Sequence, residues 1–196
     1  MTTPKRAATR ETILDHAYAL ARREGLEGLS IGALAQDVGM SKSGVFAHFG
    51  AREELQLALM QSVQKRFVDL VLRPALRQPR GISRLRAMID HWHEWVREHQ
   101  SGCVLLTAVG EYDGRSGPLR DAMQAQQVGW RNELRRAVEQ ARALGEVDSR
   151  AEADQFAFEI YAVMLGLHHD ASLFGFEQAS GRARAAIDRL LSSYRI

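Results

Sequence analysis

The residues with the clearest chemical potential are short polar side chains between positions 30 and 52. Ser41, Lys42 and Ser43 carry hydroxyl and ammonium groups, which can donate hydrogen bonds to phosphate oxygens. Gly44 follows them and has no side chain, so the backbone beside these donors can approach another surface closely. Small residues next to phosphate donors are typical of a helix that enters the major groove of DNA. The stretch therefore predicts an element that reads DNA.

Two short helices joined by a tight turn are predicted to position these donors. Ser30 can cap a first helix whose apolar residues recur at helical spacing as far as Gly39, which favours a left-handed stop. Ser41 can then cap a second helix over residues 42–49, which is helix-turn-helix geometry. A helical hairpin that only packs is the alternative. The predicted DNA-contacting residues are Ser30, Ser41, Lys42, Ser43, Gly44, Val45, Phe46, His48 and Arg52.

The flanking segments extend this pattern over the first third of the chain. In order, they are TRETILDHA from Thr9, Gly25, LSIGALA from Leu29, GMSK from Gly39, Phe46, HF from His48 and REEL from Arg52. In order and spacing these segments resemble the TetR family of bacterial transcription regulators. The resemblance implies a three-helix DNA-binding head and a helical body that binds a ligand and dimerises. It also implies that the protein represses its target genes until the ligand binds.

Two residues depart from the pattern of that family. Phe46 stands where the family usually has a tyrosine whose hydroxyl meets a phosphate, so one backbone contact is expected to be missing. Arg52 stands where the family usually has lysine, which keeps the positive charge but changes its geometry. Because Ser43 and Gly44 offer few side-chain donors, specificity is expected to depend on Lys42, Ser43 and DNA shape.

Composition sets broad limits on the kind of protein. The 196 residues are 45% hydrophobic and include 4 Pro, which favours a sizeable and almost wholly helical core. A net charge of +2 is too small to indicate nucleic-acid binding without a local basic patch. The 1 Cys excludes an intrachain disulfide, and no apolar run is long enough to span a membrane. We therefore expect a cytoplasmic protein that makes no membrane contact.

The hydrophobic pattern predicts an all-α, TetR-like fold of about nine helices. Residues 1–8 are expected to form a basic arm, residues 1–50 a helix-turn-helix domain, and residues 51–196 a ligand-binding and dimerisation domain. Helix 4, about 52–73 and ended by Pro74, is predicted to connect them. Helix 8 is apolar on two sides, so it and helix 9, over residues 182–194, are expected to form a homodimer interface. A two-fold dimer predicts a palindromic operator in double-stranded DNA.

The resemblance implies a pocket for a small-molecule effector within the helical body. Aromatic and apolar side chains with a few polar groups are typical of such pockets, which favours an apolar or aromatic ligand. A plain hydrophobic core would have the same composition. The predicted ligand-binding residues are Trp92, Val96, Cys103, Thr107, Glu111, Tyr112, Met123, Gln127, Trp130, Tyr161, Met164 and His168.

Other functional classes find little support in the residue pattern. His91 and His93 lie two residues apart on a helix and point to different sides, so no metal site is predicted. Cys103 lacks a recognisable base and orienting partner, so neither a catalytic residue nor a cofactor is predicted. Two alternatives stay open: an enzyme that uses the pocket of the body, and a helical adaptor whose residues 30–49 bind a protein.

Overall fold

The computed structural model describes residues 4–100 and 102–194, which form helices joined by turns and loops. The described residues contain nine helices in our numbering, and α4 continues through a π-helical turn (Val68–Leu72) and a last α-helical turn (Arg73–Ala75). The helices are α1 (Pro4–Gly28), α2 (Ile31–Val38), α3 (Lys42–Phe49), α4 (Arg52–Phe67), α5 (Ile82–Glu98), α6 (Val104–Tyr112), α7 (Pro118–Ala143), α8 (Ala153–Phe174) and α9 (Phe176–Ser193). The all-α prediction is confirmed. None of the described helices is both long and apolar enough to cross a bilayer.

The described chain divides into two compact units. The first contains residues 4–66 and 102–125, so it holds α1 to α3, most of α4, and α6. The second contains residues 67–100 and 126–194, which include α5, most of α7, α8 and α9. The functional division of the sequence at residue 50 stays a prediction.

The first unit is built on short helices with well-defined ends. Ser30 Oγ accepts a hydrogen bond from Ala33 N at 3.1 Å and caps α2, as predicted. Gly39 ends α2 with φ 71° and ψ 28°, a left-handed conformation that residues with side chains rarely adopt. Ser41 then caps α3, whose observed bounds match the prediction. Fully buried side chains fill the core of this unit, among them Ile13, Leu26, Leu34, Val45 and Leu55.

The second unit is a packed helical core in which α8 and α9 form a hairpin. Gly175, with φ 96°, is the one residue between these two helices. Near the end of α9, the ring of Tyr194 stacks on Phe156 of α8 with 4.1 Å between centroids. The carbonyl of Tyr194 accepts a hydrogen bond from Asp148 N at 2.8 Å. The end of α9 is therefore fixed both to α8 and to the loop before it.

Two predicted helix starts are wrong, although the helices themselves are present. Helix α1 begins at Pro4, so the predicted arm over residues 1–8 is helical from that point, and residues 1–3 lie outside the described residues. Proline suits the first turn of a helix, where its missing N–H costs nothing. Helix α9 begins at Phe176, six residues before the predicted start. The helix continues through Gly181 because burial of Phe176 and Ala179 offsets the cost of a glycine, about 1 kcal/mol.

Pro74 does not end helix 4 as predicted. The backbone widens into the π-helical turn before the proline, and Arg73 N–H bonds the carbonyl of Val68. The helix then continues to Ala75, and Leu76 N donates to Leu72 O at 2.9 Å. A π-helical turn shifts the hydrogen-bond ladder by one residue, which accommodates a residue that has no N–H to donate.

Candidate nucleic-acid interface and effector site

Helix α3 presents a small exposed face of polar and apolar side chains. Its exposed residues, together with the capping serine, are Ser41, Lys42, Ser43, Phe46 and Ala47. Ser41 Oγ accepts a hydrogen bond from Gly44 N at 3.1 Å and lies 3.1 Å from Ser43 Oγ. Unpaired N–H groups and the positive end of the helix dipole favour anions at such a helix start. The start of α3 therefore has the chemistry of a phosphate-binding end.

Lys42 and Phe46 give this face its charge and its apolar surface. The stem of Lys42 extends beside Gly32 of α2, where an added Cβ would lie 3.2 Å from Cε and 3.5 Å from Nζ of the lysine. Phe46 is 55% exposed, so its ring is accessible to a partner. An exposed phenyl ring can contact thymine methyl groups in a major groove but cannot donate to a phosphate.

The opposite face of α3 packs in the core, and one residue predicted to contact DNA lies on it. Val45 was predicted among the DNA-contacting residues, but its side chain is 0% exposed and packs inside the unit. Phe49 lies on the same inner face and is 8% exposed. His48 is half-buried, and its Nδ1 has no hydrogen-bond partner among the described residues. A helix of two turns must keep one face for the core, and Val45 belongs to that face.

Helix α1 supports α3 and α2 through its charged residues. Arg6 donates from Nη2 to the carbonyl of Ala47 at 2.8 Å, near the end of α3. The guanidinium of Arg10 lies over the ring of Phe49, 4.9 Å from the centroid. These two arginines hold the end of α3, where a helix prefers positive charge. The basic residues at the start of the chain therefore fix the orientation of α3.

Arg52, at the start of α4, makes hydrogen bonds within the protein and is also partly exposed. Its Nε donates to the carbonyl of Leu29 at 2.8 Å, and its Nη2 donates to the carbonyl of Glu27. These acceptors lie in the segment at the end of α1 and just after it (residues 26–29), so the guanidinium bridges that segment to α4. The side chain is 45% exposed, and its contact with a phosphate stays a prediction.

A buried glutamine links the same segment to α6. Gln56 is 3% exposed, and its Nε2 donates to Leu26 O at 2.7 Å and to the hydroxyl of Tyr112 at 3.2 Å. Tyr112 in turn donates to Glu27 Oε2 at 2.5 Å. Burial and this hydrogen bond raise the pKa of Tyr112 to about 12, so its hydroxyl stays protonated. The hydrogen bond from Tyr112, followed by the contact with Arg115, lowers the pKa of Glu27.

Glu111 makes a second link between α6 and α1. Its Oε2 accepts a hydrogen bond from Glu27 N at 3.0 Å, just after the break in α1. Gly25 forms that break with φ 78° and ψ 168°, and a Cβ there would meet the Glu111 carboxylate. A glycine is required both by this conformation and by the close carboxylate. The residue singled out as a possible ligand contact is thus paired with the backbone of the head.

The predicted ligand-binding residues fall into both compact units. Cys103, Thr107, Glu111, Tyr112 and Met123 belong to the first unit. Cys103 is 1% exposed and precedes α6, where its carbonyl accepts a hydrogen bond from Thr107 Oγ1 at 3.1 Å. Met123 is 5% exposed, whereas Thr107 is exposed. The other predicted ligand residues belong to the second unit: Trp92, Val96, Gln127, Trp130, Tyr161, Met164 and His168.

An aromatic cluster occupies the core of the second unit. Phe67 makes edge-to-face contacts with Trp92, Trp95 and Trp130 at centroid distances of 6.4, 5.3 and 4.9 Å. Trp92 also meets Trp130 edge to face at 5.3 Å and lies 5.5 Å from the ring of Tyr161. These contacts bring together three of the predicted ligand residues, which are Trp92, Trp130 and Tyr161.

Two buried nitrogens bordering this core lack hydrogen-bond partners among the described residues. They are Nε1 of Trp130 and Nε2 of His168, and the two side chains are 8% and 9% exposed. Burial lowers the pKa of His168, and His99 and His169 act in the same direction, so its ring is neutral near pH 7. Tyr161, by contrast, donates to Gln127 Oε1 at 2.5 Å. Unsatisfied buried polar atoms are costly, so they mark a place where a bound molecule can supply the missing partner.

Two residues with central contacts in the structure, Gln56 and Phe67, are not among the predicted site residues. Gln56 interrupts an apolar run of α4 (residues 55–60), and a polar residue in such a run is a signal for a buried hydrogen bond. Phe67 falls on the apolar helical spacing of helix 4, which indicates burial but not a position at the centre of an aromatic cluster. No sequence signal identifies that centre, because its partners come from α5 and α7.

Comparison with known families matches most of the chain. The family model described as "Bacterial regulatory proteins, tetR family" matches residues 13–59, which include both helices of the helix-turn-helix element, α2 and α3. The model described as "Tetracyclin repressor-like, C-terminal domain" matches residues 81–187. The second match alone covers more than half of the chain.

Individual relatives agree with the family models. The chain is 30% identical over 89 residues to the HTH-type transcriptional repressor AcnR of Corynebacterium diphtheriae, and this match spans 44% of each protein. A TetR transcriptional regulator from Chloroflexus aurantiacus has 24% identity and a TM-score of 0.84, with 97% of this chain and 96% of that chain covered. AibR, solved in complex with isovaleryl coenzyme A and operator DNA, has 24% identity and a TM-score of 0.72, with 90% and 96% covered. The solved structures establish the shared fold, and the family models establish that this chain belongs to the TetR family of bacterial transcriptional regulators.

Proposed function

We propose that this protein acts in the cytoplasm as a homodimer that binds a palindromic operator through α3 and is released by a small ligand. The observation that carries the proposal is the division of α3 into two faces. Val45 and Phe49 anchor the helix in the core, while Lys42, Ser43 and Phe46 stay exposed. A helix held from behind, with phosphate donors at its start, is suited to major-groove binding.

The first experiment is selection of bound sequences from random DNA duplexes. We expect the enriched sequences to have two-fold symmetry, with half-sites about one helical turn apart. Asymmetric enrichment, or no retention of any duplex at low salt, would contradict the proposal. The outcome would also separate this function from a protein-binding adaptor, which retains no DNA.

Lys42→Ala tests the phosphate role of α3. The variant should weaken binding to different duplexes by similar factors, because a phosphate contact carries no sequence information. The slope of log K against log salt should fall by about 0.9 for each protomer. Arg80→Ala is the matched control, since Arg80 is an exposed cation outside α3. An equal slope change in both variants would mean that only total charge matters.

The dimer is supported by the outer face of α8. Phe158 and Leu173 are 54% and 63% exposed, and Ala162, Leu165 and Gly166 lie between them on the same side of the helix. A Cβ added to Gly166 would have no atom of the described residues beyond its own helix turn within 4 Å. Small residues flanked by large apolar ones allow a second helix to pack closely, as in a four-helix interface.

Phe158→Glu tests this interface. Light scattering should give twice 21.9 kDa for the natural protein and 21.9 kDa for the variant, with weak operator binding. Leu70→Glu is the control, because Leu70 is also exposed, at 55%, but lies on the π-helical turn. A variant that stays dimeric would exclude this face as the main interface.

The effector is proposed to be a small, uncharged, apolar or aromatic molecule that binds in the core of the second unit. Support comes from the aromatic cluster and from the free Nε1 of Trp130 and Nε2 of His168. A carbonyl or hydroxyl oxygen on the ligand would accept from the indole N–H. The AibR structure, with both a ligand and operator DNA bound, supports ligand-responsive binding in this family.

A thermal-shift screen of neutral aromatic compounds can identify this effector, because a ligand that binds the folded state raises the melting temperature. Trp130→Phe should reduce the ligand-induced rise in melting temperature. Trp95→Phe is the control and should reduce it less, because the indole nitrogen of Trp95 is not one of the two unsatisfied nitrogens. Each hit should lower operator affinity by the same factor by which the operator lowers ligand affinity. A hit that leaves operator affinity unchanged would contradict an effector role.

The hydrogen bonds of Tyr112 are proposed to transmit part of this effect within the first unit. They connect α6 to Glu27 and Gln56, and Glu27 lies in the segment that leads into α2. Tyr112→Phe keeps the ring and removes both bonds. We expect operator affinity without ligand to change little and the ligand-induced loss of affinity to shrink. An unchanged ligand effect would exclude this route.

A further inference from the structure

A separate cavity of about 160 Å³ lies in the second unit among α5, α8 and α9. Its floor is apolar and is formed by five buried side chains. These are Ile89, Met164, Ala183, Ile187 and Leu191. A cavity of this size is comparable in volume to one that holds a benzene ring. The cavity can therefore receive a short aliphatic or aromatic group.

The cavity is formed by one face of each of two helices. On α5 the lining positions are 86, 89, 90 and 93, and on α9 they are 183, 184, 187, 188 and 191. Both sets recur at helical spacing, so two helix faces oppose each other across the cavity. Ala186 and Leu190 of α9 are not lining residues, so they remain available for the dimer interface expected through α8 and α9. The cavity is thus compatible with the dimer.

Four charged side chains surround the apolar floor. Arg86 on α5 and Asp188 on α9 form an ion pair at 3.6 Å, which connects the two helices. Asp90 and Arg184 are also lining residues, and neither forms an ion pair with another described residue. The cavity therefore offers one carboxylate and one guanidinium with binding capacity to spare, on opposite walls.

His93 separates these charges from the interior. It is 6% exposed, and its Nε2 lies 2.8 Å from Ser180 Oγ and 3.4 Å from Arg184 Nε, which donates to it. Burial and the neighbouring Arg184 lower the pKa of His93, so the ring is neutral near pH 7. The contact uses Nε of Arg184 and leaves its two terminal nitrogens able to bind a carboxylate side by side.

We propose that this cavity binds a small aliphatic amino acid, as a site separate from that of the effector proposed above. Arg184 binds the carboxylate of the amino acid, Asp90 binds its ammonium group, and its side chain covers the apolar floor. Asp90 and Arg184 are exposed charges at the rim of the cavity, and a zwitterion makes a charge-assisted contact with each of them, whereas a simple acid or amine makes only one. The side chain of leucine or valine is smaller than a benzene ring and fits the floor.

Calorimetric titration of the full-length protein tests the chemistry of the ligand. The probes are L-leucine, 4-methylpentanoate, which lacks its ammonium group, and 3-methylbutylamine, which lacks its carboxylate. We expect L-leucine or L-valine to bind at least about tenfold more tightly than either analogue. Equal binding of the acid or the amine would overturn the zwitterion assignment. No heat with any aliphatic amino acid at millimolar concentration would overturn the site.

Variants then test the location. Arg184→Gln and Asp90→Asn should each weaken L-leucine binding about tenfold or more. Arg182→Gln should not, because Arg182 is an exposed arginine two residues away on a different side of α9. Ala183→Leu fills the floor and should block binding in a protein with an unchanged circular dichroism spectrum. If the three cavity variants bind L-leucine as the natural protein does, the ligand binds elsewhere and the proposal fails. Operator binding is measured separately, so neither proposal depends on the other.

Discussion

The two compact units differ in how their interiors are held. In the first unit, Gln56 and Glu111 make hydrogen bonds to backbone atoms of Leu26 and Glu27 at the end of α1, and Tyr112 of α6 donates to the side chain of Glu27. In the second unit, rings meet edge to face around Phe67, and Nε1 of Trp130 is left without a partner. Directional hydrogen bonds specify one arrangement, whereas apolar contacts allow several.

This difference fits the two roles proposed for the units, DNA binding by α3 and ligand binding in the core of the second unit. A helix that reads DNA must be held in one orientation, because base contacts depend on fractions of an ångström. A core that receives a ligand must accept a new molecule, and its free polar atoms then gain partners. We therefore expect substitutions in the core of the second unit to lower stability mainly through lost packing. Substitutions in the first unit should act mainly through the loss of particular hydrogen bonds and close contacts.

The largest effect is expected for Phe67→Ala in the aromatic cluster. Removal of a buried ring that three tryptophans contact should destabilise the protein by about 3–5 kcal/mol. Chemical denaturation measures the change. Leu70→Ala, at a side chain that is 55% exposed, should cost far less. Similar losses in both variants would mean that the cluster does not hold this core.

The next largest change in stability is expected for an alanine substitution at Gly102, with Gly110 of α6 as the contrast. Gly102 has φ 131°, and a Cβ there would meet the backbone carbonyl of Arg22, which cannot move aside. Gly102→Ala should destabilise the protein by about 2–4 kcal/mol. Gly110 lies inside α6 with open space around it, so Gly110→Ala should stabilise by about 0.5–1 kcal/mol. Equal melting temperatures for the two variants would contradict the close approach at Gly102.

A smaller effect is expected for Gln56→Leu. The substitution keeps the volume but removes the donors to Leu26 O and Tyr112, which should cost about 1–3 kcal/mol because Leu26 O keeps only its longer hydrogen bond from Leu29 N, at 3.3 Å. Gln124→Leu, on an exposed side of α7, is the control. If Gln56→Leu leaves the free energy of unfolding unchanged, the first unit does not depend on this hydrogen bond.

The smallest effect concerns pH and the buried His168. Burial lowers its pKa in the folded state below the ordinary value of 6.5, so below pH 6.5 the unfolded state binds more protons than the folded state. The free energy of unfolding should therefore fall as the pH drops below 6.5, until the folded pKa is reached. His168→Phe should flatten this dependence, whereas the exposed His169→Phe should not. A parallel dependence in both variants would exclude His168 as its source.

Local signals in the sequence were enough to determine the helix-turn-helix element. Serine caps, a left-handed glycine and helical spacing act within a few residues, so Ser30, Gly39 and Ser41 define the ends of α2 and α3 in any context. Similar signals placed most other helices but failed at Pro74, where a π-helical turn absorbed the proline. Propensity also gave the wrong start for α9, because burial of Phe176 outweighed the cost of Gly181.

Tertiary structure alone decided which residues meet. The sequence determined that this chain is helical, that its helices have apolar faces and that residues 30–52 form a helix-turn-helix element. It could not determine that Val45 points inward, that Glu111 pairs with the backbone of Glu27, or that Asp90 and Arg184 line one cavity. Those facts depend on contacts between residues far apart in the chain, and the packing of the whole core selects them.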